Sequence, residues 1–125
     1  ETEIHFIQDD ILYPVNDILP GLKFDLIISN PPYVRDSEKQ QMLKNVVDHE
    51  PHTALFVPDS DPLLFYKSIA DFTFNNLQDD GYLLLEINEN LGTETCIMLV
   101  EKGFKNIELR QDIRGKDRMI RASLK

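Results

Sequence analysis

The 125-residue sequence has one cysteine, five isolated glycines and no long apolar segment. Each scarcity excludes something. Cys96 alone forms no intrachain disulfide, which suits a reducing compartment, and its place in an apolar helical pattern gives it no chemical role. No apolar run approaches the roughly 20 residues that cross a bilayer. The opening Glu1, Thr2 and Glu3 do not read as a signal peptide, so a soluble cytoplasmic protein is expected. The glycines stand singly at 21, 81, 92, 103 and 115, so no glycine-rich loop for phosphate or nucleoside is present. Basic charge is also short, with 13 Lys and Arg against 22 Asp and Glu and a net charge of −9. An acidic body argues against broad phosphate-backbone binding and favours a protein or a small cationic ligand as partner. Residues 101–125 reverse the balance, with 8 basic against 4 acidic residues. That tail reads as a charged edge strand that resists edge-to-edge pairing.

What is present is an ordinary globular composition, 42% hydrophobic and 28% charged. It indicates one domain with a real core, though small for a complete doubly wound enzyme. The chain is organised around Asp25 to Tyr33. Leu26, Ile27 and Ile28 form an apolar run without alternation, as in a parallel strand buried on both faces. Pro31 and Pro32 end it, because each lacks an N–H and fixes φ. Asn30 therefore falls at the carboxyl end of a central strand, where open α/β sheets place ligands.

The chain on either side alternates strand and helix. Ile4 to Ile7 reads as a short strand running into Asp9, Asp10 and Ile11. A carboxylate there either accepts hydrogen bonds from a nucleoside or belongs to a solvated turn. Pro14, Asn16, Pro20 and Gly21 punctuate the connection to the central strand. Ser37 to Val47 is helix-compatible and is expected to lie over the site. His49 and His52 sit beside Asp48 and Glu50, but Pro51 breaks the helix that would align them, so no metal site is expected. Asp61 and Pro62 read as N-cap and first turn of a helix over Leu63 to Leu77. Gln78 to Gly81 then read as a turn before a strand over Tyr82 to Ile87. A helix over Thr93 to Val100 ends at Gly103. Phe104 to Leu109 and Met119 to Leu124 read as an antiparallel hairpin turning at Gly115. The pattern is the latter half of a mostly parallel α/β sheet with one antiparallel strand.

Asn30 to Tyr33 also suggest a chemistry. The Asn30 side-chain carbonyl and the Pro31 main-chain carbonyl offer two acceptors to one planar NH₂ group. Such bonds orient the nitrogen and aim its lone pair at an electrophile, while Tyr33 is placed to stack on the plane.

The Asn-Pro-Pro-Tyr stretch at 30–33 resembles the signature of S-adenosylmethionine-dependent methyltransferases that modify planar nitrogens. Glu50, Pro51, Ala54 and Leu55 resemble the Glu-Pro-x-x-Ala-Leu element of the PrmC/HemK-type protein glutamine-N5 methyltransferases of peptide chain release factors. Leu83 to Ile87 resemble that family's Leu-Leu-Glu-Ile strand, and Asp112, Gly115, Asp117 and Arg118 its closing Asp-x-x-Gly-x-Asp-Arg pattern. Asn88 stands where the family often has glycine, and Leu91 where it often has glutamine.

The resemblance implies a Rossmann-like methyltransferase fold with strand order 3-2-1-4-5-7-6 and strand 7 antiparallel. Ile4 to Ile7 would be strand 3 and Leu26 to Ser29 strand 4. It implies Asn30, Pro31, Pro32 and Tyr33 as catalytic residues, and Asp10, Ile11 and Asn30 as contacts to S-adenosylmethionine. Glu50 and Pro51 would form a substrate loop, and a release factor would be the protein substrate. Residues 1–125 would be the C-terminal part of the catalytic domain, with the cofactor glycine loop and an N-terminal helical domain upstream. Such a fragment is expected to be inactive alone and to self-associate through the unpaired edge of strand 4. The alternatives are a nucleic-acid amino methyltransferase acting on adenine N6 or guanine N2, or an inactive binding fragment.

Overall fold

The apolar run after Lys23 forms strand β1 (Phe24–Ser29) in the computed structural model, which describes residues 2–15, 20–42 and 49–125. Two prolines stop it, and the chain resumes as the short β2 (Val34–Arg35) and a 3₁₀ turn over Asp36–Gln41. A single helical turn α1 (His52–Leu55) leads into β3 (Phe56–Val57), which pairs in parallel with β2. Then follow α2 (Leu64–Asn76), β4 (Leu77–Glu86), α3 (Gly92–Glu101), β5 (Lys105–Gln111) and β6 (Asp117–Ser123).

The main sheet has the order β1-β4-β6-β5, with β1 and β4 parallel and β6 antiparallel to both of its neighbours. This is a mixed α/β sheet, and its four strands match positions 4, 5, 7 and 6 of the order implied by the resemblance. The hairpin of β5 and β6 closes as read, because Gly115 takes φ +76°, a conformation open to glycine without a Cβ penalty. Asp112 builds the rest of that turn: its carboxylate accepts from the backbone N–H groups of Arg114 at 2.8 Å and Lys116 at 3.1 Å.

The core lies between the sheet and the two long helices. Tyr66, Ile69 and Ala70 of α2 and Met98 and Leu99 of α3 meet Leu83 and Leu85 of β4, then Ile87, Phe104, Ile120 and Ala122. Alternation in β4 sends Leu83 and Leu85 inward while Tyr82 is left exposed. Burying each such leucine contributes about 1.5–3 kcal/mol.

Several expectations are corrected. Ile4 to Ile7 form no strand and are exposed, because no neighbour among the described residues offers them ladder hydrogen bonds. β1 is an edge strand covered on one face: Ile27 is half-buried, whereas Leu26 and Ile28 are 48% and 69% exposed. The region after Tyr33 begins as a 3₁₀ turn, not an α-helix, and residues 43–47 of that expected helix lie outside the described residues. Helix α2 starts at Leu64, one residue later than expected. Leu63 is its N-cap, and Asp61 instead accepts the Leu64 N–H through its backbone carbonyl. Gln78 to Gly81 do not separate helix from strand. They form a wide bulge inside β4, since Phe24 pairs with Leu77 but Leu26 already pairs with Tyr82.

Candidate active site

The turn from Asn30 to Pro32 leaves the carboxyl end of β1 and lines a cleft of about 870 Å³. The parallel pair of β2 and β3 brings the insert beside it, so Pro51, Thr53 and Ala54 form part of the same wall. Asp9, Asp10 and Ile11 complete the rim, while Phe65, Ile69 and Phe72 of α2 supply the apolar floor. The cleft thus gathers Asp10, Ile11, Asn30, Pro31, Pro32 and Pro51 from three separate stretches of chain. Asn30 is exposed to it and Pro31 is buried beneath.

Two expected site residues lie elsewhere. Glu50 is exposed and does not line the cleft, although Pro51 next to it does. Tyr33 does not line it either. Its ring packs against the hydrophobic core and its hydroxyl donates to Glu86 Oε1 at 2.6 Å. Burial and the Glu86 carboxylate together push the Tyr33 hydroxyl up to about 12, against the opposing pull of Arg118. A phenol engaged in this way ties the end of the turn to the end of β4. Among the described residues, no group of three His, Cys, Asp and Glu side chains gathers to hold a metal ion.

Behind the turn lies a polar network that spacing alone does not predict. Asn88, only 4% exposed, donates from Nδ2 to the Tyr33 carbonyl at 2.9 Å and to Glu38 Oε1 at 2.8 Å. Glu38 also accepts from the Arg35 backbone N–H at 3.0 Å, Arg35 Nε at 2.9 Å and Asn90 Nδ2 at 3.0 Å. Burial opposes ionisation of Glu38, but these donors outweigh it and hold the carboxyl down at about 2. The one advance signal of this network was Asn88 itself, a polar residue where the resemblance leads to glycine.

The closing motif serves the same region. Arg118 reaches Asp112 at 3.4 Å, Glu89 at 3.3 Å and the Ile87 carbonyl at 3.3 Å. It joins the hairpin turn to the loop after β4. Asp117 lies against the first residue of α3, where a Cβ on Gly92 would come within 2.8 Å of its Oδ2. The negative charge there suits a helix N-terminus.

Chemically, the cleft offers acceptors at one end of a largely apolar trough. Asp10 supplies a carboxylate and Asn30 a carboxamide, and Ile11 with the prolines supplies flat apolar surface. These acceptors can hold N–H or hydroxyl groups of a ligand lying along the apolar trough.

No family model matches the chain. Among curated proteins it is 47% identical, over its whole length, to a release factor glutamine methyltransferase of Flavobacterium psychrophilum. It is 39% identical over 98% of its length to a protein of the same name from Bacteroides thetaiotaomicron. The chain spans 43% and 44% of the length of these two relatives. Among solved structures, a release factor-specific protein-(glutamine-N5) methyltransferase of Alicyclobacillus acidocaldarius is similar, with 16% identity and a TM-score of 0.45. That comparison covers 95% of this chain and 98% of the other. The mixed sheet order places the chain in the α/β class of folds. Within that class, it is similar in sequence to the release factor glutamine methyltransferases, along less than half of their length.

Proposed function

We propose that the protein carrying this chain methylates the side-chain amide N5 of the glutamine in the Gly-Gly-Gln motif of peptide chain release factors. Residues 1–125 are read as the C-terminal part of its catalytic domain, acting in the cytoplasm with S-adenosylmethionine as cofactor. The observation that carries this reading is the single cleft shared by Asp10, Asn30, Pro31 and Pro51 at the carboxyl end of β1.

S-adenosylmethionine, when bound, supplies an electrophilic methyl group; Asp10, Ile11 and Asn30 are the residues of this chain that would hold it. Asn30 Oδ1 and the Pro31 carbonyl accept the two N–H bonds of the glutamine amide. Holding both hydrogens in the amide plane leaves the nitrogen lone pair directed along one normal to that plane. The two prolines stiffen the gripping segment, so little ordering is lost when the substrate enters. No side chain is required as a strong base, because the nitrogen releases its proton to water after its new bond has made it cationic. Pro51, with Thr53 and Ala54, forms the wall where the substrate peptide would pass, and the exposed Glu50 beside Pro51 is read as part of the same substrate loop.

Incubating the full-length protein with S-adenosylmethionine and a release factor tests this reading. Mass spectrometry is expected to find one added methyl group on the Gly-Gly-Gln glutamine. Methylation of adenine or guanine in nucleic acid instead, or of nothing, would overturn it.

A further inference from the structure

We propose that Asn88 is a positioning residue that fixes the Asn30–Tyr33 turn in its working place. The main-chain geometry of that turn makes an external anchor necessary. Pro31 and Pro32 have no N–H, so neither can donate a hydrogen bond to hold the segment. Their fixed φ angles make 30–33 a stiff unit, and a stiff unit is placed by its two ends. One end is the β1 ladder, where Ser29 pairs with Leu85 of β4. The other is the Tyr33 carbonyl, which Asn88 Nδ2 grips at 2.9 Å.

Asn88 is committed in full to this task. One amide hydrogen serves Tyr33 and the other serves Glu38 Oε1 at 2.8 Å, while Oδ1 accepts the Asn90 N–H at 2.9 Å. Of the two ends of the amide, the NH₂ can face two acceptors at once and the carbonyl oxygen cannot, so the orientation of the side chain is set by its surroundings. These attachments come from one strand and its continuation: β4 pairs with β1 before the turn, Glu86 at its end accepts from the Tyr33 hydroxyl, and Asn88 beyond it holds the Tyr33 main chain. A glycine at 88, as the family resemblance often has, would leave the second anchor unmade. This inference rests on the proposed activity only for its turnover readout, since the anchoring geometry stands apart from it.

The test is Asn88→Asp in the full-length protein, a change of nearly equal shape that sets an acceptor against both acceptors. Displacement of a reacting group by about 1 Å costs roughly 100-fold in rate. The variant is therefore expected to lower kcat at least about tenfold, with KM and cofactor Kd held within about threefold. Hydrogen exchange of the amides at 33–38 should accelerate, while that of α3 stays unchanged. Adding Glu38→Gln restores the contact between residues 38 and 88 but leaves the Tyr33 carbonyl against a carboxylate, so kcat should stay low. Full recovery in this double variant, unchanged exchange at 33–38, or a loss confined to KM would overturn the proposal. If the wild-type protein methylates no release factor, the proposed activity fails and the exchange comparison alone decides the role of Asn88.

Discussion

The Tyr33 hydroxyl is bonded to Glu86 Oε1 at 2.6 Å, which ties the end of the proline turn to the end of the neighbouring strand β4. Tyr66 donates to the backbone carbonyl of the same Glu86 at 3.0 Å, so the strand end is held from the helix side as well. The fold favours the neutral phenol of Tyr33. A raised pKa means that this contribution is fully present below the ordinary tyrosine pKa and is lost as pH rises through about 12. The tyrosinate absorbance difference between wild type and Tyr33→Phe should therefore titrate near 12. A difference that titrates near the ordinary tyrosine value would show that the bond to Glu86 is not maintained in solution.

Glu38 makes the opposite prediction in acid. Its carboxyl is held at about 2, so its contribution is present above the ordinary glutamate range and is lost as pH falls towards 2. Hydrogen exchange at 33–38 should rise through that window, and Glu38→Gln should show the same looseness already at neutral pH. Equal exchange in the two proteins at neutral pH would contradict the network.

Gly81 is placed by close contact, not by backbone freedom. A Cβ there would come within 2.8 Å of the Asp25 carbonyl and 2.9 Å of Leu77 Cδ1. Gly81→Ala should lower stability by about 1–3 kcal/mol, the usual cost of overpacking, as read from denaturant midpoints. No change would mean that the bulge in β4 can open freely.

How much of this was legible in advance follows from the range of each interaction. The proline stop after Ser29 and the Gly115 hairpin are local events, written in residues that act on their own φ angles. The buried face of β4 was likewise visible in its apolar run. The Ile4 to Ile7 segment misled because β-rich residues make a strand only with a partner. The bulge at 78–81 depends on register against β1, far away in sequence. The lining of the cleft was legible where a motif names its residues, as with Asn30 and Pro31. It was not where a contact joins side chains 50 positions apart, as between Asn88 and Glu38. Tyr33 was recognised as part of the motif, but only packing shows that it ties the end of the turn to the end of β4.

The β1 edge carries exposed Leu26 and Ile28, and Ile4 and Phe6 are exposed in the segment before it. Unpaired edges of this kind recruit other strands. The isolated 125-residue chain is expected to self-associate in light scattering and to bind S-adenosylmethionine weakly or not at all. A monodisperse monomer that binds the cofactor tightly would contradict both expectations.

The central claim, that Asn30 holds the substrate amide, is tested most directly by Asn30→Ala in the full-length protein. Transfer of methyl groups to the Gly-Gly-Gln glutamine of a release factor should fall by about 100-fold or more, the scale of losing an orienting group, while affinity for S-adenosylmethionine changes far less. Turnover equal to that of wild type would contradict the account.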